Sequence, residues 1–329
     1  MPELTRLGRT ALLVSRIGLG TVNFGGRVDE PEAHRLLDHA RDNGVNLVDT
    51  ADMYGWRVYK GHTEETIGTW FKRGGGRRES TVLATKVGNP MSEAPNESGL
   101  SARHIIAGCE QSLRRLGTDW IDLYQMHHID RTACWEEIWQ AMEVLVTQGK
   151  IRYVGSSNFA GWHLARAQET ATRGNALGVV SEQCLYNLLS RHVELEVLPA
   201  ARQLGMAVLP WSPLHGGALS GVVRTRNAGA AVKGAQGRAA TALHRHEHTI
   251  RAYEDFCARR NSDPAEMGVA WVLSRPAVTS AIVGPRTVEQ LDGALRACRT
   301  RLTREELERL EELFPPPGNG GPAPEAWLD

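Results

Sequence analysis

Short apolar runs alternate with longer amphipathic stretches along nearly the whole chain. RIGLGTVNF (16–24) precedes EPEAHRLLDHARDNG (30–44), and VNLVDTADMYG (45–55) precedes TEETIGTWFKR (63–73). TVLATKVG (81–88) is followed, after a polar loop, by SARHIIAGCEQSLRRLG (101–117), and WIDLYQMHH (120–128) by CWEEIWQAMEVLVTQG (134–149). The same order recurs from IRYVGSSNF (151–159) to WHLARAQETATRG, and from GVVSEQCLYN (178–187) to VELEVLPAARQLG. MAVLPWSPL (206–214) leads into a Gly/Ala-rich segment and then helices, and TSAIVG (279–284) into TVEQLDGALRAC. Runs of four to eight apolar residues read as strands buried on both faces, and the longer stretches as helices. About eight strand–helix units are the number that closes a parallel (β/α)8 barrel, a TIM barrel. Gly44, Gly117, Gly149 and Gly205 each follow a helical pattern, where a helix-ending glycine belongs.

LTRLGRTALLVS (4–15) reads as an N-terminal β-hairpin across the barrel bottom, and LTREELERLEELF (302–314) as an amphipathic C-terminal helix. The reading is one barrel domain over 1–329, with a loop insertion at 215–249 and a tail at 315–329. An open, doubly wound sheet is the rival fold. Its phosphate loop needs G-x-G-x-x-G, and here Gly18 and Gly20 are followed by Asn23 where the third glycine belongs.

The formal net charge is zero, so nothing in the balance points to a nucleic acid or to an anionic membrane surface. The N-terminus is polar, without the apolar stretch of a signal peptide, and no uncharged run is long enough to span a bilayer. Five scattered cysteines without a C-x-x-C favour free thiols in a reducing cytoplasm over disulfides or a zinc site.

In a barrel the chemistry lies at the C-terminal ends of the strands. Asp49 and Tyr54 stand after the second strand, Lys86 after the third and His127 after the fourth. A tyrosine is a weak acid, with a pKa of about 10. An ammonium beside it lowers that value, and a carboxylate keeps a buried ammonium charged. Asp49, Lys86 and Tyr54 together thus make a tuned proton donor, and His127 can hydrogen-bond a carbonyl oxygen. Neighbouring side chains of a strand face opposite ways, so His127 faces the pocket and His128 stands away from it or at its rim. No metal is expected, because no carboxylate or cysteine accompanies the two histidines in a ligand pattern.

NLVDTADMYG, LATKVG and IDLYQMHH resemble the signatures of the aldo-keto reductases, and the resemblance covers nearly the whole chain. It implies a barrel that binds NADPH without a dinucleotide-binding motif, and reduction of a carbonyl with Tyr54 as proton donor. It further implies that Ser157, Asn158 and Gln183 hold the nicotinamide amide and that Trp211 stacks on its ring. Ser212, Leu214 and Gly216 would line the pyrophosphate. Gly284, Arg286 and Gln290, where the eighth strand meets a helix, would hold the adenosine 2′-phosphate. Gly293 and Ala294 stand where relatives carry an acidic residue and an asparagine on the adenine, so the preference for NADPH rests more on Arg286. Phe24, Trp56, Tyr59 and His128 are the substrate-lining candidates. DLYQMHHID, WEEIWQAMEVLVTQGK and SEQCLYNLL resemble most the bacterial branch that includes reductases of nucleotide-linked deoxysugars, which makes an NDP-sugar the specific substrate. General carbonyl reductases share that branch, and potassium-channel β-subunits share the fold and the four residues. A broad-specificity reductase and a mainly NADPH-binding regulatory subunit are therefore the alternatives.

Overall fold

The computed structural model describes residues 3–227 and 237–318. In chain order the elements are β1 (Leu4–Arg6), β2 (Leu13–Ser15), β3 (Ile17–Gly20), α1 (Glu30–Asp42), β4 (Leu47–Asp49), α2 (His62–Lys72) and β5 (Val82–Val87). Then come α3 (Ala102–Leu116), β6 (Ile121–Met126), α4 (Trp135–Thr147), β7 (Ile151–Ser157), α5 (Gly161–Arg173), β8 (Val179–Gln183), α6 (Val197–Gln203) and β9 (Ala207–Val208). The last are α7 (Val222–Asn227), α8 (Arg238–Arg259), α9 (Pro264–Ser274), β10 (Ala281–Val283), α10 (Val288–Ala297) and α11 (Arg304–Leu313).

Eight strands pair in the order β10-β3-β4-β5-β6-β7-β8-β9, all in parallel. Parallel bridges from Val208 to Val278 and from Trp211 to Ile282 span the remaining seam. This is the (β/α)8 barrel expected from the alternation, with β1 and β2 as an antiparallel hairpin. The hairpin docks where Gly8 lies against backbone atoms of Val180, Gly205 and Ala207. A side-chain carbon there would meet them at 2.7 Å, and the residue has φ +56°, so both space and conformation demand glycine.

Two layers of core hold the sheet. Leu47, Val82, Ala84, Leu123, Val180, Ala207, Leu209 and Ile282 belong to the buried cluster inside the barrel. A larger cluster, including Trp70, Tyr124, Met142 and Trp271, joins the sheet to the helices. Each such aliphatic or aromatic side chain contributes about 1.5–3 kcal/mol when fully buried. Helices start where the sequence supplies a cap: Asp29 accepts from the Glu32 amide and Ser101 from the His104 amide.

One expectation is corrected. The described part of 215–249 is largely helical rather than loop: it holds a 3-10 turn (His215–Gly217), α7 and the N-terminal part of α8. Alanine is the best helix former. α8 is kinked at His246 (φ −131°, ψ 20°): Ala239 and Ala242 are buried before the kink, and Ile250, Tyr253 and Cys257 after it. Alanine enrichment signalled helix, and only the glycines signalled turn. The expected tail at 315–329 lies outside the described residues from 319 onward.

Candidate active site

Alternation along each strand decides which side chains share the barrel interior. In β4, Leu47 and Asp49 face in; in β5, Val82, Ala84 and Lys86; in β6, Leu123 and Gln125, with His127 just beyond. Lys86 and Gln125 are Cα partners in the β5–β6 ladder, and Asp49 pairs with Ala84 one step below Lys86. The apolar layers thus give way to one polar layer at the C-terminal mouth.

Lys86 is fully buried and its Nζ donates to Asp49 Oδ2 at 2.7 Å and to the Thr50 carbonyl at 2.9 Å. The third direction leads to the Tyr54 hydroxyl at 3.5 Å, the outer limit of a hydrogen bond. Burial alone would lower the Lys86 pKa, but Asp49 and then Tyr54 outweigh it, and the ammonium is held above its ordinary value. Asp49 is further satisfied at Oδ1 by the side-chain amides of Gln125 (3.1 Å) and Gln183 (2.7 Å).

The Tyr54 phenol differs from the expectation. Enclosure of its hydroxyl raises its pKa, Lys86 pulls it down and Asp49 pushes it up, so the net direction is upward. The chief physical reason is burial of the hydroxyl, which the lysine cannot offset while Asp49 opposes it. A phenol so placed is protonated throughout the neutral range.

His127 is buried, its ring edge-on to Tyr54 with centroids 5.9 Å apart. Burial, then Lys86 and His128, lower its pKa to about 2. The imidazole is neutral, and Asn89 Nδ2 donates to its Nδ1 at 2.7 Å. A neutral ring that accepts at Nδ1 carries its proton on Nε2, so Nε2–H is a hydrogen-bond donor. His128 is exposed, and its ring stacks on that of His127 with centroids 5.1 Å apart.

The nicotinamide candidates form a strut beside this layer. Asn158 takes φ +60° and its Nδ2 donates to the His127 carbonyl and to Ser157 Oγ. Its Oδ1 accepts from Trp211 Nε1 at 3.0 Å. Ser157 is buried and donates to the Gln183 carbonyl. Gln183 and Asn158 thus direct several of their amide contacts to protein groups. Arg238, the first residue of α8, places its guanidinium 4.5 Å from the Trp211 ring centroid.

The turn after β9 carries the pyrophosphate candidates Ser212, Leu214 and Gly216. Leu214 is near the right-handed region (φ −108°, ψ 19°), and His215 and Gly216 are left-handed at φ 50° and 69°. Within the turn the His215 amide donates to the Ser212 carbonyl and the Gly217 amide to the Leu214 carbonyl. Ser212, also left-handed, accepts from the Gly216 amide. Arg286 is exposed just ahead of α10, where helix amides and the dipole favour a phosphate. The Gln290 Oε1 accepts from the Arg286 amide at 2.8 Å, and the carbonyl of the exposed Gly284 accepts from Asn23. These residues fit a nicotinamide dinucleotide.

Of the substrate candidates, Trp56 and Tyr59 are exposed at the mouth, and the Trp56 ring lies 6.2 Å from that of Tyr54. Phe24 is buried in the core between sheet and helices, and lines a recess together with Val22, Gly26, Gly55, Trp56 and Arg57. Sequence reasoning passed over Asn89, Gln125 and Arg238. Gln125 had a signal: it is polar, inside an apolar strand, and two residues before His127, hence on the same face.

A family model described as the aldo/keto reductase family matches residues 16–314. The chain belongs to the aldo/keto reductase family. It is 48% identical over 329 residues to the uncharacterized oxidoreductase YrpG of Bacillus subtilis, covering 99% of this chain and 100% of that one. It is 32% identical over 346 residues to versiconal hemiacetal acetate reductase of Aspergillus parasiticus, covering 95% and 97%. It is 33% identical over 322 residues to a probable voltage-gated potassium channel subunit beta of Oryza sativa, covering 94% and 96%. As an aldo/keto reductase the chain is an oxidoreductase, of a family that reduces carbonyl groups with a nicotinamide nucleotide. Among the described residues no helix is long and apolar enough to cross a membrane, and no group of His, Cys, Asp and Glu could hold a metal ion.

Proposed function

We propose that this oxidoreductase uses NADPH to reduce an aldehyde or ketone, with Tyr54 as the proton donor, and that its specific substrate is a nucleotide-linked keto-deoxysugar. The observation that carries the reaction is the Lys86 ammonium, fully buried between Asp49 at 2.7 Å and the Tyr54 hydroxyl at 3.5 Å. The reduced nicotinamide, when bound, supplies the hydride to the carbonyl carbon. The remaining work falls to the chain. The Tyr54 hydroxyl gives its proton to the carbonyl oxygen as negative charge gathers there, and Lys86 stabilises the phenolate left behind. His127 donates from Nε2–H to the same oxygen and orients it. Asp49 keeps the ammonium charged, and its second oxygen is tied down by Gln125 and Gln183 so that it cannot swing away.

Trp211 and Asn158 would bound the nicotinamide, the turn at 212–217 would cradle the pyrophosphate, and Arg286 would select the 2′-phosphate. The exposed Trp56, Tyr59 and His128 at the mouth favour a flat, polyhydroxylated ligand such as a sugar, whose faces pack on aromatic rings. The five unpaired cysteines suit a reducing cytoplasm. The similarity to a channel β-subunit favours a second reading, in which nucleotide binding serves a regulatory partner. Turnover separates the two. The test is single-turnover oxidation of bound NADPH by aldehydes, ketones and nucleotide-linked ketosugars, in the wild type and in Tyr54→Phe. General acid help is worth about 10²–10⁴-fold, and Tyr54→Phe should lose that much with little change in NADPH affinity. Hydride transfer at the wild-type rate in the variant would move the proton donor elsewhere. Absence of turnover across the panel would favour the regulatory reading.

A further inference from the structure

Beside the catalytic layer lies a feature that the reduction itself does not use. The loops after β3, β4 and β10 meet at one side of the mouth, where Val22, Phe24, Gly26, Gly55, Trp56 and Arg57 line a recess. Val22 and Trp56 are exposed there, with Val58 and Tyr59 exposed in the same loop. The Arg57 stem lies along Gly26 so closely that a side-chain carbon on that residue would meet Arg57 Cδ at 2.8 Å. Its guanidinium sits 5.6 Å from the Trp56 ring centroid. Gly26 thus holds the arginine against the recess, and Trp56 gives it a face to stack on.

Two further guanidiniums gather at this edge. Arg27 follows Gly26, and burial together with the charges of Arg57 and Arg286 lowers its pKa. Val22 links the two sides, its Cγ1 3.8 Å from where a side-chain carbon on Gly284 would stand. Among the described residues none of Arg27, Arg57 and Arg286 forms an ion pair with a carboxylate. The nearby acids are engaged otherwise. Glu65 accepts from the Tyr59 hydroxyl, Glu30 from Thr69, and Asp29 caps α1. Elsewhere in the barrel, loop and helix arginines such as Arg78 and Arg115 are matched by Asp122 and Glu64. Three mutually repelling cations beside an exposed indole make a focused positive potential over an apolar floor. A guanidinium fork matches a phosphate bidentately.

We propose that Arg57, held on Trp56 and flanked by Arg27, is a substrate-phosphate site that makes the enzyme selective for phosphorylated carbonyl compounds over neutral ones. This rests on the reductase reading and deepens it, since a nucleotide-linked sugar is one member of that class. The Trp56 ring links the two places, 6.2 Å from the Tyr54 ring and 5.6 Å from the Arg57 guanidinium. The same chemistry has a second source, the 2′-phosphate of the cofactor, and the experiment separates them.

The test compares D-erythrose with D-erythrose 4-phosphate in NADPH oxidation, for the wild type and Arg57→Gln. The wild type should prefer the phosphate ester tenfold or more in kcat/KM. Arg57→Gln should bring that ratio near one, acting through KM. A wild type that treats the two alike, or a variant that keeps the ratio, overturns the proposal. Fluorescence titration with NADPH and NADH supplies the second arm. A selective loss of NADPH affinity in Arg57→Gln would assign the guanidinium to the cofactor's 2′-phosphate and also overturn it. The third arm is calorimetric binding of erythrose 4-phosphate in the presence of NADP+, which needs no turnover. Binding by the wild type and its loss in Arg57→Gln supports the site, and absence of binding by the wild type overturns it. If neither aldehyde is reduced while this binding difference persists, the reductase reading fails and the phosphate site stands.

Discussion

At the residue scale, the most consequential contact is a hydrogen bond from an asparagine to the histidine beside the tyrosine. Asn89 donates to His127 Nδ1 at 2.7 Å, and so decides which nitrogen of a neutral ring keeps the proton. With the pKa lowered to about 2 by burial, Lys86 and His128, His127 does not titrate in the working range. The Cε1–H signal of His127 should therefore stay fixed between pH 5 and 8 in a carbon–proton correlation spectrum, and a sigmoidal shift near pH 6.5 would contradict the neutral donor. Asn89→Ala frees the ring to place its proton on either nitrogen. One neutral hydrogen bond is worth about 1 kcal/mol, so kcat should fall by about fivefold. Asn89 could not be singled out beforehand. It lies in a loop of small and polar residues, and its role depends on a strand far away in sequence.

At the element scale, the end of β7 ties the reaction layer to the cofactor wall. Asn158 holds the His127 carbonyl on one side and Trp211 on the other. What keeps it in its left-handed conformation is the neighbouring strand. Glu182 of β8 accepts from Ser156 Oγ at 2.5 Å and from the Phe159 amide at 3.0 Å, bracketing the turn. Burial raises the Glu182 pKa to about 8 against its three donors. Cys184, the buried titratable neighbour, has its own pKa raised by burial and by Glu182. His163 of α5 packs edge-on against Phe159. A carboxyl raised in the fold binds its proton more tightly there than in the unfolded chain. Its stabilisation is complete below about 4.5 and is lost as pH rises through about 8. The wild-type melting temperature should fall over that window by more than that of Glu182→Gln, which has no proton to lose. Parallel pH profiles for the two proteins in thermal melts would rule out this titration. The strand pattern made β8 legible, but a glutamate inside VVSEQ could be read only as a polar interruption until its partners on β7 were placed.

At the scale of the whole molecule, closure of the sheet brings β10 beside β3, and so brings Arg286 and Gly284 to the same mouth as Tyr54. A ligand that binds only the folded state stabilises it by about 2.7 kcal/mol at a hundred times its dissociation constant. With Arg286 on the 2′-phosphate, equal concentrations of NADPH should raise the melting temperature more than NADH. Arg286→Ala should remove most of that difference, since hydrogen bonds to charged groups are worth about 1.5–3 kcal/mol. Equal shifts for the two nucleotides in the wild type would contradict the selection. The same closure explains why the strand-end residues were readable in advance. Barrel topology sends every C-terminal strand end to one rim, so Asp49, Lys86 and His127 must meet once the strands are recognised.

Periodicity along the chain determined the eight strand–helix units, the hairpin ahead of them and the rim on which the polar residues gather. Those follow from local rules: alternation in strands, helical spacing between them, and glycine where a turn needs it. Only the tertiary structure decided the electrostatics and the partners. Enclosure of the Tyr54 hydroxyl and neutralisation of Lys86 by Asp49 reversed the direction expected for the phenol. The helices at 215–249 pack through Ala218, Val223, Ala239 and Ala242, with Ile250, into a small cluster that only the folded chain assembles. Gly26 and Arg57 lie far apart in sequence, and only packing of the β3 and β4 loops brings them into contact. Burial and long-range contact are sums over distant segments, whereas spacing is a property of the chain alone.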